Sequence, residues 1–145
     1  WCGLPLPQAR QAFLRQVFYL GHALGLKDEL SALENLLTTA AIAGQPLDVQ
    51  QATQALQAQG LSSRMHLPLR VLSQGQKRRV ALARLQVSQA RLWLLDEPLV
   101  ALDLAAQQAL TALLQTHVQQ GGMLLLTSHQ PLEWRVEVQP LRLQP

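Results

Sequence analysis

Leu72-Ser73-Gln74-Gly75-Gln76 and, further along, Leu92-Trp93-Leu94-Leu95-Asp96-Glu97-Pro98 are the two stretches whose reading decides the fold. The first is a polar turn with a glycine at the head of a helix-forming segment. Orphan backbone N–H groups and the positive end of the helix dipole make such a turn an anion site. Ser73 adds a hydroxyl, and Gly75 lets backbone approach a phosphate with no Cβ in the way. An ordinary N-cap serine followed by a loop glycine explains the same pentapeptide equally well. The second stretch is apolar on both faces, as a central parallel strand should be. In such sheets ligands gather beyond the carboxyl ends of the strands, which is where Asp96 and Glu97 stand. Successive side chains of an extended chain point opposite ways, so the two carboxylates would have different tasks. One can face the hydration shell of a metal and the other an attacking water. A solvated loop pair is the competing reading, because burying a carboxylate without a partner is costly.

Both stretches suit a nucleoside triphosphate, yet the chain contains no G-x-x-x-x-G-K-[ST] loop to cradle its phosphates. It reads as the back half of an ATPase. His129 follows another apolar strand, Met123 to Leu126, and could donate to a terminal phosphate at the same sheet edge. Asp103 reads as the N-cap of the next helix. The cations Lys77, Arg78, Arg79 and Arg84 read as a solvated helix face, with Val80, Leu82, Ala83 and Val87 as the buried stripe.

Outward from these stretches, Pro5 and Pro7 bracket a turn and Gln8 to Gln16 forms a short helix. Val17 to Leu20 is a buried strand stopped by Gly21, and the loop His22 to Lys27 leads into a helical region. Leu33, Leu36, Leu37, Ala40 and Ala41 recur at helical spacing until Gly44 and Pro46. Asp48 caps a further helix with Gln51 three residues on, as in a capping box, and Gly60 ends it. Beyond Pro68 come a helix over 75–87, the strand 92–95, a helix over 104–119 ended by Gly121-Gly122, and the strand Met123 to Thr127. A turn from Ser128 to Pro131 and weak strands at 135–138 and 141–143 close the chain. Strands alternating with helices argue for a mostly parallel sheet in an α/β fold, into which about 28–67 is inserted as helices.

With 48% hydrophobic and 14% charged residues the chain is globular, and its length suits one domain. The net charge of +3 is mild and aromatics are only 4%, so no nucleic-acid partner is expected. Cys2 is the only cysteine, which excludes a disulfide scaffold and leaves a cytosolic placement open. No apolar run is long enough to span a bilayer, and no secretory signal pattern is present. The sequence begins at Trp1 and has methionine only at Met65 and Met123, so residues are expected upstream, in keeping with the absent phosphate loop.

In this order the segments resemble the ATP-binding-cassette ATPases. Leu72 to Gln76 is similar to the signature loop, with Gln74 where glycine is commonest. Leu92 to Asp96 is similar to the Walker B strand and Glu97 to the catalytic glutamate. Ala101-Leu102-Asp103 matches the D-loop, and His129 the switch histidine. The resemblance covers nearly the whole chain. Tyr19-Leu20-Gly21-His22, Gly25-Leu26-Lys27, Leu33-Glu34-Asn35, Arg78 to Arg84, Leu92-Trp93 and Thr127 to Leu132 narrow it to the haem-exporter ATP-binding subunits of cytochrome c maturation.

The resemblance implies a P-loop NTPase-like fold lacking the N-terminal portion that holds the phosphate loop. The helical insert would occupy about 28–67, and 68–145 would be the Walker B, D-loop and switch-histidine half. It implies ATP and Mg²⁺ as ligands, with Asp96 on Mg²⁺ through water, Glu97 polarising the attacking water and His129 steadying the γ-phosphate. Ser73, Gln74, Gly75, Gln76 and Asp103 would lie at the nucleotide. Ser73 and Gly75 would touch the ATP of a second, head-to-tail ATPase subunit. Integral membrane transporter subunits are the other implied partners, at the cytoplasmic face of a bacterial inner membrane.

Two departures stand out. Where most cassettes have a metal-contacting glutamine after the first strand, this chain has His22 or, by the alternative alignment, Ala23. The phosphate loop with its lysine, which holds the β- and γ-phosphates, is missing. Competing classes are a DNA-repair or chromosome-maintenance ATPase, a translation-factor-type cassette and a non-catalytic remnant. The first would need a coiled coil in the insert, which shows no sustained heptads.

Overall fold

The computed structural model describes residues 1–129, 134 and 137–141. In chain order its elements are α1 (Leu6–Arg15), β1 (Val17–Leu20), α2 (Ala32–Ile42), α3 (Val49–Ala58), a 3₁₀ turn (Leu69–Val71), α4 (Gln74–Gln86), β2 (Leu92–Asp96), α5 (Leu104–Gln119) and β3 (Met123–Thr127). The weak strands expected at 135–138 and 141–143, and the end of the turn at Pro131, fall largely outside the described residues. Glu137, Val138 and Leu141 are described and belong to no strand.

The strands form a parallel sheet in the order β1-β2-β3. Leu20 pairs with Leu95 and Asp96 with Thr127, so all three strands end at one edge. Phe18, Leu20, Trp93, Leu95, Leu124 and Leu126 share a sheet face and pack with Leu82, Leu85, Leu110 and Leu114 of α4 and α5. Trp93 stacks on His117 of α5 with ring centroids 3.7 Å apart, holding that helix on the same face. The opposite face is open. Tyr19, Met123 and Leu125 are exposed there, and Leu92 and Leu94 are half-buried. β2 is therefore central and apolar on both sides, as expected, but among the described residues only one side is covered.

A second core lies beside the sheet, where Ala32, Leu36, Ala52, Leu56, Leu61 and Leu69 pack against Val80 and Ala83 of α4. At its base, Leu69 N–H donates to Leu30 O (3.0 Å) and Arg70 N–H to Asp28 O (3.0 Å). α4 is thus buried on two sides, by the sheet and by α2 and α3. Ala81 and Leu85 are as buried as the expected stripe, and Val87 is only half-buried.

Local chemistry accounts for the helix ends. Asp48 and Gln51 form the expected capping box at α3. Ser31 and Glu34 form a further one at α2, an S-x-x-E pattern that periodicity alone passed over. α1 begins at Leu6, earlier than expected, with Pro7 inside its first turn. Proline is tolerated there because its missing N–H would have had no intrahelical partner. Gly60 takes φ +70° just past the end of α3, a left-handed conformation that costs glycine nothing.

Candidate active site

Asp96 ends β2 and Thr127 ends β3, and the register places them side by side. Thr127 Oγ1 donates to Asp96 Oδ1 at 2.7 Å. The Glu97 N–H donates to the same hydroxyl at 3.1 Å. Glu97 itself has φ +47°, a left-handed conformation that costs a non-glycine residue about 1–3 kcal/mol. The turn directs its carboxylate towards β3. There the His129 N–H donates to Glu97 Oε2 at 3.4 Å, and His129 Nε2 stands 3.7 Å from Oε1. The His129 side chain is 96% exposed and open to a ligand, whereas that of Glu97 is 28% exposed. Asp96, Glu97 and His129, expected at one sheet edge, are brought together there. Thr127, which joins them, was missed. Its signal was its place as the last residue of an apolar strand, level with Asp96.

Ser73 caps α4. The Gln76 N–H donates to Ser73 Oγ (3.3 Å), and Gln76 Oε1 accepts from the Ser73 N–H (2.9 Å). The pentapeptide is therefore an ordinary cap in its bonding, while Ser73 and Gln74 remain exposed at the positive end of the helix. A Cβ on Gly75 would stand 3.4 Å from Ala101 O, so this turn lies against the segment before α5. Asp103 caps α5, accepting from the Ala106 N–H at 2.8 Å, and its other oxygen pairs with Arg79. Its carboxylate is thus engaged within the chain. His22, two residues beyond β1, is exposed at the sheet edge where Asp96 lies.

The basic cluster is not a solvated face. Lys77 pairs with Asp28 at 2.6 Å and Arg79 with Asp103. Arg84 donates to Leu24 O at 2.8 Å and lies 5.7 Å from the Phe18 ring centre. Arg78 is buried and donates to the main-chain carbonyls of Asp96 and Glu97. Burial draws the Arg78 pKa below the usual guanidinium value, an effect that the Asp96 and Glu97 charges oppose. Burial alone lowers that of Arg84. Arg78 could have been placed from spacing: with Leu82 and Leu85 it forms an i, i+4, i+7 row, and both leucines are core residues.

The ABC transporter family profile matches residues 4–100. The chain belongs to that family. It is 48% identical over 132 residues to the cytochrome c biogenesis ATP-binding export protein CcmA of Pseudomonas aeruginosa, covering 91% of this chain and 65% of that protein. The CcmA of Nitrosomonas europaea is 47% identical over 144 residues, with 90% of this chain and 68% of that protein covered. The chain thus spans about 65% of the length of the curated relative from Pseudomonas aeruginosa. A solved dimeric ATP-binding cassette, bound to ADP and Pi, superposes with a TM-score of 0.73 at 21% identity, over 88% of this chain and 58% of that one. That likeness establishes the P-loop NTPase-like α/β fold.

Asp96 and Thr127 offer only oxygen, the donor set Mg²⁺ prefers, and Mg²⁺ characteristically takes one or two carboxylates and completes its shell with water and phosphate. Among the described residues no group of three or more His, Cys, Asp or Glu could hold a metal alone, so such an ion would rely on the nucleotide's oxygens. A cavity of about 150 Å³ between β1, α2 and α4 is separate from this edge. It is well below the roughly 300 Å³ at which ligand pockets begin.

Proposed function

We propose that this chain is part of the ATP-binding subunit of an ABC transporter that couples ATP hydrolysis to haem export or handling in cytochrome c biogenesis. The observation that carries this reading is the meeting of Asp96, Glu97 and His129 at the ends of two adjacent parallel strands. The relatives named for cytochrome c biogenesis narrow it. In this reading Glu97 polarises the attacking water, Asp96 holds Mg²⁺ through its water shell and His129 steadies the γ-phosphate of a nucleotide bound in cis. Ser73, Gln74, Gly75 and Gln76 face the nucleotide of a second ATPase subunit arranged head to tail. Asp103 holds the D-loop against Arg79 near that junction, and His22 occupies the metal-contacting position after β1. Mg²⁺, when bound, neutralises developing phosphate charge.

Integral membrane subunits complete the transporter at the cytoplasmic face of the bacterial inner membrane. No helix among the described residues is long and apolar enough to cross a membrane itself. The helices over about 28–67 form the insert, and 68–145 form the Walker B half of the core. The open sheet face suits this reading, because parallel sheets are ordinarily covered on both sides. The length that the relatives have in excess of this chain would supply the cover and the phosphate loop.

The test compares phosphate release from this chain with release from a full-length cassette, in which the expected upstream portion carrying the phosphate loop is supplied from a relative. The chain alone is expected to hydrolyse no ATP. The full-length cassette is expected to turn over, and Glu97→Gln to stop it. Turnover by the chain alone, abolished by Glu97→Gln, would overturn the expectation that the chain needs a phosphate loop, and turnover of the full-length cassette that survives Glu97→Gln would overturn the role given to Glu97.

A further inference from the structure

Arg78 is a buried charge that forms no ion pair among the described residues. Its Nη2 donates to the carbonyl oxygens of Asp96 and Glu97, while its Nε is buried with no hydrogen-bond partner. As a device for stability this is poor. A guanidinium gives up its hydration to reach two peptide carbonyls and leaves one donor unsatisfied, which disfavours the folded state. A neutral amide side chain could have made such bonds without burying a charge.

The arrangement makes sense in what those two carbonyls control. Glu97 sits in the left-handed region, which persists only when surrounding groups over-determine it. Thr127 holds its N–H and Arg78 holds its C=O, so both sides of the residue are fixed. Fixing the backbone at φ +47° fixes the direction in which the carboxylate leaves the chain, towards His129. Arg78 is also on α4, one turn after Ser73 and Gly75. A single side chain therefore joins the helix that begins with the signature loop to the turn that carries Glu97.

We infer that Arg78 is a positioning residue for the Glu97 carboxylate, acting through the Asp96 and Glu97 carbonyls and tying the orientation of α4 to that of the carboxylate. The inference rests on the hydrolytic role proposed for Glu97. Arg78 does not touch the nucleotide, so its loss should slow the chemical step and leave nucleotide affinity alone.

The test is steady-state ATP hydrolysis by the full-length cassette carrying Arg78→Met, which keeps bulk and removes all donors, and Arg78→Lys, which keeps the charge but not the fork. Rates are taken per folded molecule, with the folded fraction measured by urea titration. Arg78→Met is expected to lower kcat about tenfold, the equivalent of one charge-assisted hydrogen bond, with KM for ATP within about threefold. Arg78→Lys is expected to lower kcat about fourfold, since an ammonium can still donate to one carbonyl. A kcat within about twofold of the unsubstituted protein, or a change in KM alone, would overturn the inference. If Arg78→Met does not fold, Arg78→Lys decides by the same criterion. A cassette whose turnover survives Glu97→Gln would instead refute the hydrolytic reading, so the two failures are distinguishable.

Discussion

Thr127 Oγ1 donates to Asp96 Oδ1 at 2.7 Å, and the same oxygen accepts from the Glu97 N–H. One hydroxyl at the end of β3 thereby holds the Asp96 carboxylate and the backbone of Glu97 at the end of β2. A charge-assisted hydrogen bond of this kind contributes about 1.5–3 kcal/mol, and a tenfold rate change corresponds to about 1.4 kcal/mol. Thr127→Val, which keeps the shape and removes the hydroxyl, is expected to slow phosphate release by the full-length cassette about tenfold. Thr127→Ser should stay within about threefold. Equal rates for valine and threonine would show that the hydroxyl does not order the site.

Ser73 separates a local role from an intermolecular one. As the N-cap of α4, with its oxygen accepting from the Gln76 N–H, it contributes about 1 kcal/mol to stability. Ser73→Ala and Ser73→Arg both lose that cap and should show similar losses in urea titration. Only Ser73→Arg places bulk at the exposed head of the helix, where the proposed head-to-tail arrangement puts the nucleotide of a second subunit. It is expected to stop ATP turnover, while Ser73→Ala retains part of it. Full activity in the arginine variant would refute the head-to-tail arrangement.

Asn35 is fully buried in α2. Its Oδ1 accepts from the Lys27 N–H at 2.8 Å, and its Nδ2 donates to Lys27 O, Leu30 O and Ser31 O. It closes the loop that leads from the sheet edge into the helical insert. Asn35→Leu preserves volume but strands the Lys27 N–H, at a cost of about 1–3 kcal/mol for a buried group left unsatisfied, and takes one of two donors from the Lys27, Leu30 and Ser31 carbonyls, each of which keeps a backbone N–H. Thermal unfolding of the variant is expected to fall by at least about 5 °C. An unchanged midpoint would mean that water replaces the side chain without loss.

Stability at α2 should depend on acidity. The Ser31 backbone N–H and then its hydroxyl hold the Glu34 carboxyl below its usual value of 4.5. A carboxyl whose pKa is lower in the folded state contributes stability that is fully present above the unfolded value and is lost as the pH falls through the folded one. The difference in stability between the unsubstituted protein and Glu34→Gln should be largest at about pH 7 and close as the pH drops below about 4. Urea titrations at several pH values measure it. A difference that is independent of pH would exclude the ionised capping box.

Much of the fold was legible because its signals are local. Asp48 and Gln51 lie three residues apart, within one helical turn, and their pattern is the same in any tertiary setting. Leu92 to Leu95 and Met123 to Leu126 are apolar runs bounded by polar or glycine residues and too short for helices, which favours strands. Arg78 shows where the reading failed. Its charge suggested solvent, while its spacing from Leu82 and Leu85 placed it on a buried row, and the spacing was the better guide.

The sequence by itself determined the order of helices and strands, the caps at Asp48 and Asp103, and the placing of Asp96, Glu97 and His129 after apolar strands. These follow from contacts within a few residues and from the period of the apolar positions. The tertiary structure alone decided which side chains meet. Thr127 reaches Asp96 because β2 and β3 pair in one register, and a slip of one residue would send it to the other face. Arg78 reaches the carbonyls of Asp96 and Glu97 because α4 is wedged between two cores and has no solvent side for that residue. Both contacts join residues far apart in the chain, and their geometry is set by packing, which no local pattern encodes.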